Sequence, residues 1–524
     1  MLETLDPNIR IAGVHGIICM TNNFIGVSSL ALSFPRLIRT NDYWREKFPQ
    51  LTTKTRSQRR RESRKPALNQ SEGVTIWSQE VVPYLDDPFR GNVERRVLGQ
   101  GESSLTLEYR AATEAIEAAR LQPREIDLMI STSLFPQTVR LGNAPLANQL
   151  NLSCPAWNLE STCSSALVAL QNARALIQTG DYRHVLVVVS QSGSHTVDDA
   201  DTLSWSMGDG AGAFVVSSLA PGQGILVSKI VSTAITHGAY THQLIVDARG
   251  QPRIQTQIGE NTSMLAETTV DFVRNCCEKA VKAAGLSLND IDFFAFNTPT
   301  PWYASVCVRA LNIDPERTIN LYPRYANIGP VFPIANLYHA ARSGKLKEND
   351  LVLVYTNGAG ATAGAMVKRW SDVALGTAPA SPIVVTPEQE AIRLAKVDSV
   401  EEQESQVEVT SLTRQQLLAA QPEARQQMLE AYLLEWLCNS LQLALGELTS
   451  QQSFSSILDS LLALMLKSQI ESDLELQVSM ESFLGNNTVA QLAEQLLKQL
   501  ALTSLIASET TFTAGEKERE KLSI

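Results

Sequence analysis

Cys163 stands in the run ESTCSSALVAL, after the approach PAWNL and before a helix that begins with small residues. A thiol at a helix N-terminus meets unpaired N–H groups and the positive end of the helix dipole, both of which favour the thiolate. Ser164, Ser165 and Ala166 leave room beside it for a substrate group. A buried structural cysteine is the other reading of the same residue. Ser460 follows Asp459 and precedes Leu461, Leu464, Met465 and Leu466 at helical spacing, so it belongs at or near the first turn of a helix, where a serine alone would be a cap. The run Asn357-Gly358-Ala359-Gly360-Ala361 follows an apolar strand-like segment. A turn rich in glycine there brings backbone N–H groups close to a ligand, or serves only as a turn.

The elements that would position these residues repeat within the chain. Ala115 to Asp127 (AIEAARLQPREID) is echoed by Ala280 to Asp292 (AVKAAGLSLNDID), each an amphipathic helix and polar turn leading into a buried strand. Ala166 to Gly180 is echoed by Pro330 to Gly344, each ending at a helix-stopping glycine before an apolar strand. Two echoes in one order, at shifts of 165 and 164, imply a duplicated α/β body with one sheet per half. The same shift carries Cys163 onto Asn327, so a pseudo-twofold axis would set a thiol opposite an amide.

Composition bounds the rest. A net charge of -11 gives no reason to expect nucleic acid as the main partner, and the longest apolar runs are too short to span a bilayer. Seven cysteines without metal-like pairing, behind an N-terminus (MLETLDPNIR) with no basic region before an apolar core, indicate reduced thiols in a cytoplasm and no metal site. The halves are expected at 1–220 and 221–372, with a basic insertion within 50–90. A Pro-containing, then acidic stretch over 373–414 reads as a linker, 415–503 as a separate helical unit, and 504–524 as a solvated tail.

STCSSA, MGDGAGA from Met207, YAN ending at Asn327 and the glycine run at 357–364 together resemble the ketoacyl-acyl-carrier-protein synthase III branch of the thiolase-like condensing enzymes. The opening IRIAGV, ERRVL at Glu94–Leu98 and Phe135-Pro136 extend that resemblance over about Arg10 to Trp370. It implies a thiolase-like αβαβα body, a homodimer, and substrates that are acyl thioesters of coenzyme A or of a carrier protein. Cys163 would be the nucleophile, and Asn327 would donate its amide N–H to a thioester carbonyl. The backbone N–H groups of Cys163 and of the Gly358–Gly360 turn would form the oxyanion hole.

One departure matters. Where the family has histidine in a Pro-His-Gln-Ala-Asn-like motif, this chain has Phe296-Asn297-Thr298-Pro299-Thr300. Asn297 can donate a hydrogen bond but cannot carry a proton. Of the six histidines, His237 and His242 lie in the nearby loop-like THGAYTHQL, where ordinary surface or core roles are the expectation. Lys54, Arg56, Arg59, Arg60, Arg61, Arg64 and Lys65 crowd within twelve residues as a solvated loop or a patch that docks an acidic carrier or coenzyme A phosphates. Tyr43 and Trp44 fall where the family has an aromatic near the coenzyme A entrance.

Gln427 to Leu500 resembles an acyl carrier domain, a small all-α four-helix unit, with Ser460 at the position that takes 4'-phosphopantetheine from a phosphopantetheinyl transferase. Ile457 replaces the usual glycine two residues before Asp459. The leading expectation is an acyltransferase that loads Cys163 and condenses the acyl group with a malonyl-type carrier substrate in fatty-acid or polyketide-type biosynthesis. Its partners would be other carrier proteins or synthase modules. Non-condensing transfer or starter loading is the second reading, because of Asn297. A catalytically decayed carrier or scaffold is the third.

Overall fold

The computed structural model describes residues 24–52, 71–99, 101–136, 144–246, 252–388, 412–441, 448–454, 458, 460–474, 476, 478–483 and 487–501. The chain divides into two compact units, Met1–Ala391 and Ile392–Ile524.

The first unit holds the duplicate. Its first sheet runs Ala374–Leu375, Ile25–Ser33, Asp209–Ser218, Val185–Ser192, Leu128–Leu134, Ala156–Asn158. The second runs Gly224–Ser232, Thr362–Arg369, Leu351–Asn357, Phe293–Phe296, and Phe294 makes a parallel bridge to Thr318 where the first sheet has Ala156–Asn158. Strand order and direction match: in each half the closing strand is antiparallel to both neighbours, and the next pair is parallel. The echoed sequence segments thus occupy equivalent places.

Five layers follow from which faces are apolar. Ser165–Gln178 and Phe332–Arg342 share one core with the facing sides of both sheets, through Leu167, Leu170, Ile334, Leu337, Val187, Val354 and Met366. Phe332–Arg342 is buried along most of its length, whereas Ser165–Gln178 keeps Asn172, Ala175 and Gln178 exposed. Ser104–Ala118 covers the outer face of the first sheet with Leu107, Ala111 and Ala115, spaced four apart, and with Ile116 beside them. It starts where the Ser103 hydroxyl accepts from Thr106 N–H. Ser263–Ala283 covers the second sheet in the same way. Gly180 (φ +87°) and Gly344 (φ +74°) end the two central helices in the left-handed conformation expected of such stops.

The stretch expected to leave the body at 373 stays on it. Ala374–Leu375 pairs with Ser29 and Leu30, and Ile383–Val384 pairs with Leu37 and Ile38. Glu114 accepts from both the backbone N–H and the hydroxyl of Thr377 (2.6 Å each), and Tyr338 OH donates to Gly376 O and Thr377 O. Proline content marked these residues as irregular, but their backbone groups find strand partners.

The second unit contains helices at Arg414–Ala419, Pro422–Leu441, Ser460–Leu474 and 489–501, with a short turn of helix at Met480–Phe483. Leu429, Leu433, Leu437, Leu466, Ile470, Leu492 and Leu496 form its core. Tyr432 OH reaches Asp473 at 2.8 Å. Among the described residues no helix is long and apolar enough to cross a membrane. The expected tail at 504–524 lies outside the described residues.

Candidate active site

The turn carrying Cys163 is Thr162–Ser164, one 3₁₀ turn before the Ser165–Gln178 helix. Thr162 takes φ +49°, a conformation that costs a β-branched residue energy and persists only when its surroundings hold it. The neighbouring serines do the holding. Ser161 Oγ lies 2.6 Å from Thr362 Oγ1, Ser164 Oγ donates to Thr362 O (2.7 Å), and Ser165 Oγ donates to Thr162 O while accepting from Ser161 N–H. Ser164 and Ser165 are wholly buried; Ser164 fastens the turn to the second half and Ser165 braces it from within, instead of making room for a ligand. Cys163 itself is half-buried. Burial pushes its thiol up to about 11, with its own N–H pulling only weakly the other way. Burial thus works against the acidity expected of a thiol at a helix N-terminus, and the helix itself begins two residues later.

The glycine loop closes over this turn. A Cβ on Gly358 would stand 2.6 Å from Ser161 O and strike Thr162 Oγ1, so no larger residue fits. Gly358 N–H donates to Thr362 O (2.8 Å) and Gly360 N–H to Thr236 Oγ1 (2.8 Å). Both of these expected oxyanion donors are already engaged. Ala361 N–H goes to Gly358 O. Within the Gly358–Gly360 turn, Ala359 N–H is the donor with no partner among the described residues.

Asn327 lies across the pseudo-dyad, and the Cys163 turn packs on Gly329–Val331, two residues beyond it. Ala326, just before it, has φ +55° and ψ -152°, a region that ordinarily belongs to glycine. The Asn327 backbone is fixed by Ser206 O, Gly208 N–H and Gln191 Nε2 (2.9, 3.1 and 2.7 Å). Its Oδ1 accepts from Gly329 N–H (2.9 Å), which leaves the side-chain NH₂ for a ligand. Asn297, wholly buried, spends its NH₂ on Gly329 O (2.7 Å), and its Oδ1 has no partner among the described residues. The two asparagines thus clamp one glycine between them.

Asn327 lines a cavity of about 370 Å³ with Ser206, Tyr240, Thr300, Trp302 and Tyr322. No described histidine lines it. His237 is exposed, and the His242 ring sits 3.0 Å from Thr256 Oγ1 and 4.9 Å from the Phe135 ring. Tyr240 was missed at the sequence level: it belongs to THGAYTHQL, and nothing in that string singles out its hydroxyl.

Trp44 departs from its expected place. It is wholly buried, donates from Nε1 to Asp199 O and Ser204 Oγ (3.1 Å each), and lies under the Arg95 guanidinium at 4.4 Å. Burial pulls that guanidinium down to about 9. As the side chain stands, Trp44 is part of a wall, with no face open for stacking. Arg59, Arg60 and Arg61, with the rest of the basic insertion, lie outside the described residues. Among the described residues no cluster of His, Cys, Asp or Glu could hold a metal. Ser460 is the first residue of its helix, as its spacing predicts.

Three family models match this chain. One described as 3-oxoacyl-(acyl-carrier-protein) synthase III matches residues 157–234, and its C-terminal counterpart matches 281–370. A third, described as a phosphopantetheine attachment site, matches 431–496. A β-ketoacyl-(acyl-carrier-protein) synthase III of Brucella canis is 30% identical over 307 residues, covering 57% of this chain and 93% of that protein. The solved 3-oxoacyl-(acyl-carrier-protein) synthase III of Aquifex aeolicus superposes with a TM-score of 0.52 at 23% identity, over 66% of this chain and all of the other. A priming β-ketosynthase from a polyketide biosynthetic pathway gives 0.53 at 21%, over 67% and 97%.

Proposed function

The chain belongs to the 3-oxoacyl-(acyl-carrier-protein) synthase III family and carries a phosphopantetheine attachment domain; from that premise we propose that it primes, moving an acyl group from a soluble thioester through Cys163 to a pantetheine thiol without making a carbon–carbon bond. The observation behind this reading is the Asn297–Gly329 bond. Decarboxylative condensation would call on a second N–H donor beside Asn327 at the malonyl thioester. Here that NH₂ is turned into the fold. A single thioester exchange needs less: a sulfur nucleophile, donors for the oxyanion, and one amide to orient the carbonyl.

In this mechanism Cys163 Sγ attacks the thioester carbon. The developing oxyanion is met by the N–H groups of Cys163 and Ala359, and Asn327 Nδ2 steadies the incoming carbonyl. The departing thiol leaves, and a pantetheine thiol later attacks the Cys163 thioester in the reverse sense, restoring the cysteine. Ser460 would hold the arm as its phosphodiester, at the head of a helix whose dipole favours the anion. The arm supplies a long thiol that accepts the acyl group. Tethering in one chain raises the local concentration of acceptor. The cell context that fits is cytoplasmic, with the enzyme working as a homodimer.

Intact-mass spectrometry tests the reading. After treatment with a phosphopantetheinyl transferase, acyl-coenzyme A and malonyl-coenzyme A, the expected result is an acyl group of unchanged length on the arm. Cys163→Ala should abolish the transfer and Ser460→Ala should remove the arm. Release of carbon dioxide with a 3-oxoacyl product would establish condensation instead. Inertness of Cys163 across a broad thioester panel would support a decayed scaffold.

A further inference from the structure

One polar side chain interrupts the apolar face of a central strand in the first half. Val185, Val187 and Val189 of Val185–Ser192 belong to the core shared by both sheets, and strand alternation puts Gln191 on the same face. Gln191 is buried, and an amide in such a place loses free energy to desolvation unless its groups are met. The turn that carries Asn327 meets them. Gln191 Nε2 donates to Asn327 O (2.7 Å) and, over a longer distance, to Gly208 O (3.4 Å). Its other end lies against Gly329, where a Cβ would strike Gln191 Oε1. One amide of the first half thus touches both ends of the Asn327–Gly329 segment of the second.

That segment sets where Asn327 points. Its Oδ1 accepts from Gly329 N–H (2.9 Å), so the direction of the NH₂ follows the backbone path from 327 to 329. The path begins at Ala326, whose φ of +55° is strained and persists only under restraint from both sides. Upstream, Ala326 N–H donates to Tyr322 O (2.7 Å). Downstream, Asn327 makes a parallel bridge to Met207, with Asn327 N–H on Ser206 O and Gly208 N–H on Asn327 O. A Cβ on Gly208 would strike Tyr325 O, so the Met207-Gly208 turn receives the YAN segment at close quarters. Among the described residues, Gln191 supplies the one side chain that bonds the Asn327 backbone.

We propose that Gln191 is a positioning residue for acyl transfer: through Asn327 O and Gly329 it holds the Asn327 NH₂ aimed into the cavity, where the thioester carbonyl is to be met. Asn327 lines that cavity and Gln191 does not, so the effect of Gln191 passes through Asn327. This role rests on the acyl transfer proposed above.

The test is a double-mutant cycle in the full-length protein, Gln191→Met against Asn327→Ala. Met keeps the length of the side chain and removes its amide. Acylation of Cys163 by hexanoyl-coenzyme A is timed by rapid quench and mass spectrometry. Alone, Gln191→Met should lower the limiting rate on the order of 10-fold, a share of the roughly 10²-fold that misplacing a reacting group can cost, with half-saturation unchanged. In the Asn327→Ala background the same substitution should alter the rate by about twofold or less, because nothing is left to aim. Iodoacetamide alkylation of Cys163 needs no carbonyl orienter and should keep its wild-type rate in Gln191→Met.

Equal acylation by wild type and Gln191→Met, with Asn327→Ala slow, would overturn the positioning role and leave acyl transfer standing. So would a deficit of one size in both backgrounds, slowed alkylation, or an Asn327→Ala protein as fast as wild type. A wild type that is never acylated would overturn both. Should Gln191→Met not fold, Gln191→Glu, which matches the shape and lacks the N–H donor, carries the same expectations. Failure of both to fold would overturn the role, since the amide would then support the fold and not the aim of Asn327.

Discussion

The two halves of the body share an architecture and differ in what they place at its centre. Each sets an L-residue with positive φ immediately before the group that matters: Thr162 before Cys163, and Ala326 before Asn327. Both halves thus carry a positive φ just before the reactive position, and the side chain that follows is a thiol in one and an amide in the other. The first half holds a half-buried thiol that desolvation pushes up, while the second half presents an amide to the cavity. Shape is common to the halves, and chemistry is where they diverge.

The largest expected effect separates nucleophile from orienter. Cys163→Ala should remove the acyl adduct entirely, whereas Asn327→Ala should leave an adduct that forms on the order of 10²-fold more slowly; identical total loss in both would make the two halves equally essential. Gly358→Ala comes next, since its new methyl must displace the Ser161 backbone. Acylation should fall by about 10² through a misplaced oxyanion hole, measured by the same mass assay.

Iodoacetamide kinetics, resolved by peptide mass spectrometry, probe the contrast in burial. Alkylation of Cys163 should climb about tenfold per pH unit from 7 to 10, because the thiol gives up its proton only near 11. A plateau below pH 8 would show that the helix dipole governs after all.

Stability effects are smaller. Ala326→Gly relieves the strained turn and should stabilise the body by about 1 kcal/mol in denaturant titrations, with Thr162→Gly acting in the same direction.

The closing strands also differ. In the first half Asp209 is buried but accepts from Ser194 N–H, Ser194 Oγ and Leu98 N–H. In the second, Lys368 is buried over the Trp370 ring with no hydrogen-bond partner among the described residues. Burial lowers this lysine from 10.5 to about 7. Between those values the unfolded chain binds more protons than the folded one, so stability should rise with pH through that window. Lys368→Met should raise Tm most below pH 7 and progressively less toward pH 10.

Much of this was legible in the sequence. The two echoes carried the duplicated α/β body with one sheet per half, and the 164 shift paired Cys163 with Asn327, because helix periods and glycine stops are local signals. What was hidden depended on distant contacts. Thr162 and Ala326 are not glycines, so no letter announces their backbone. The Cys163 thiol was expected to be acidic from its neighbours along the chain, yet its environment is made by Thr362 and Gly358, some two hundred residues away. Trp44 looked like a doorway and is enclosed by Asp199, Ser204 and Arg95. Asn297 shows as a substitution, but only Gly329 reveals where its amide is spent.

The short strands at Ala374–Leu375 and Ile383–Val384 set the length of a leash. Their pairing holds residues 374 to 385 on the first unit, so the chain leaves it a dozen residues later than its proline content suggests, and peeling off the two strands would set those residues free.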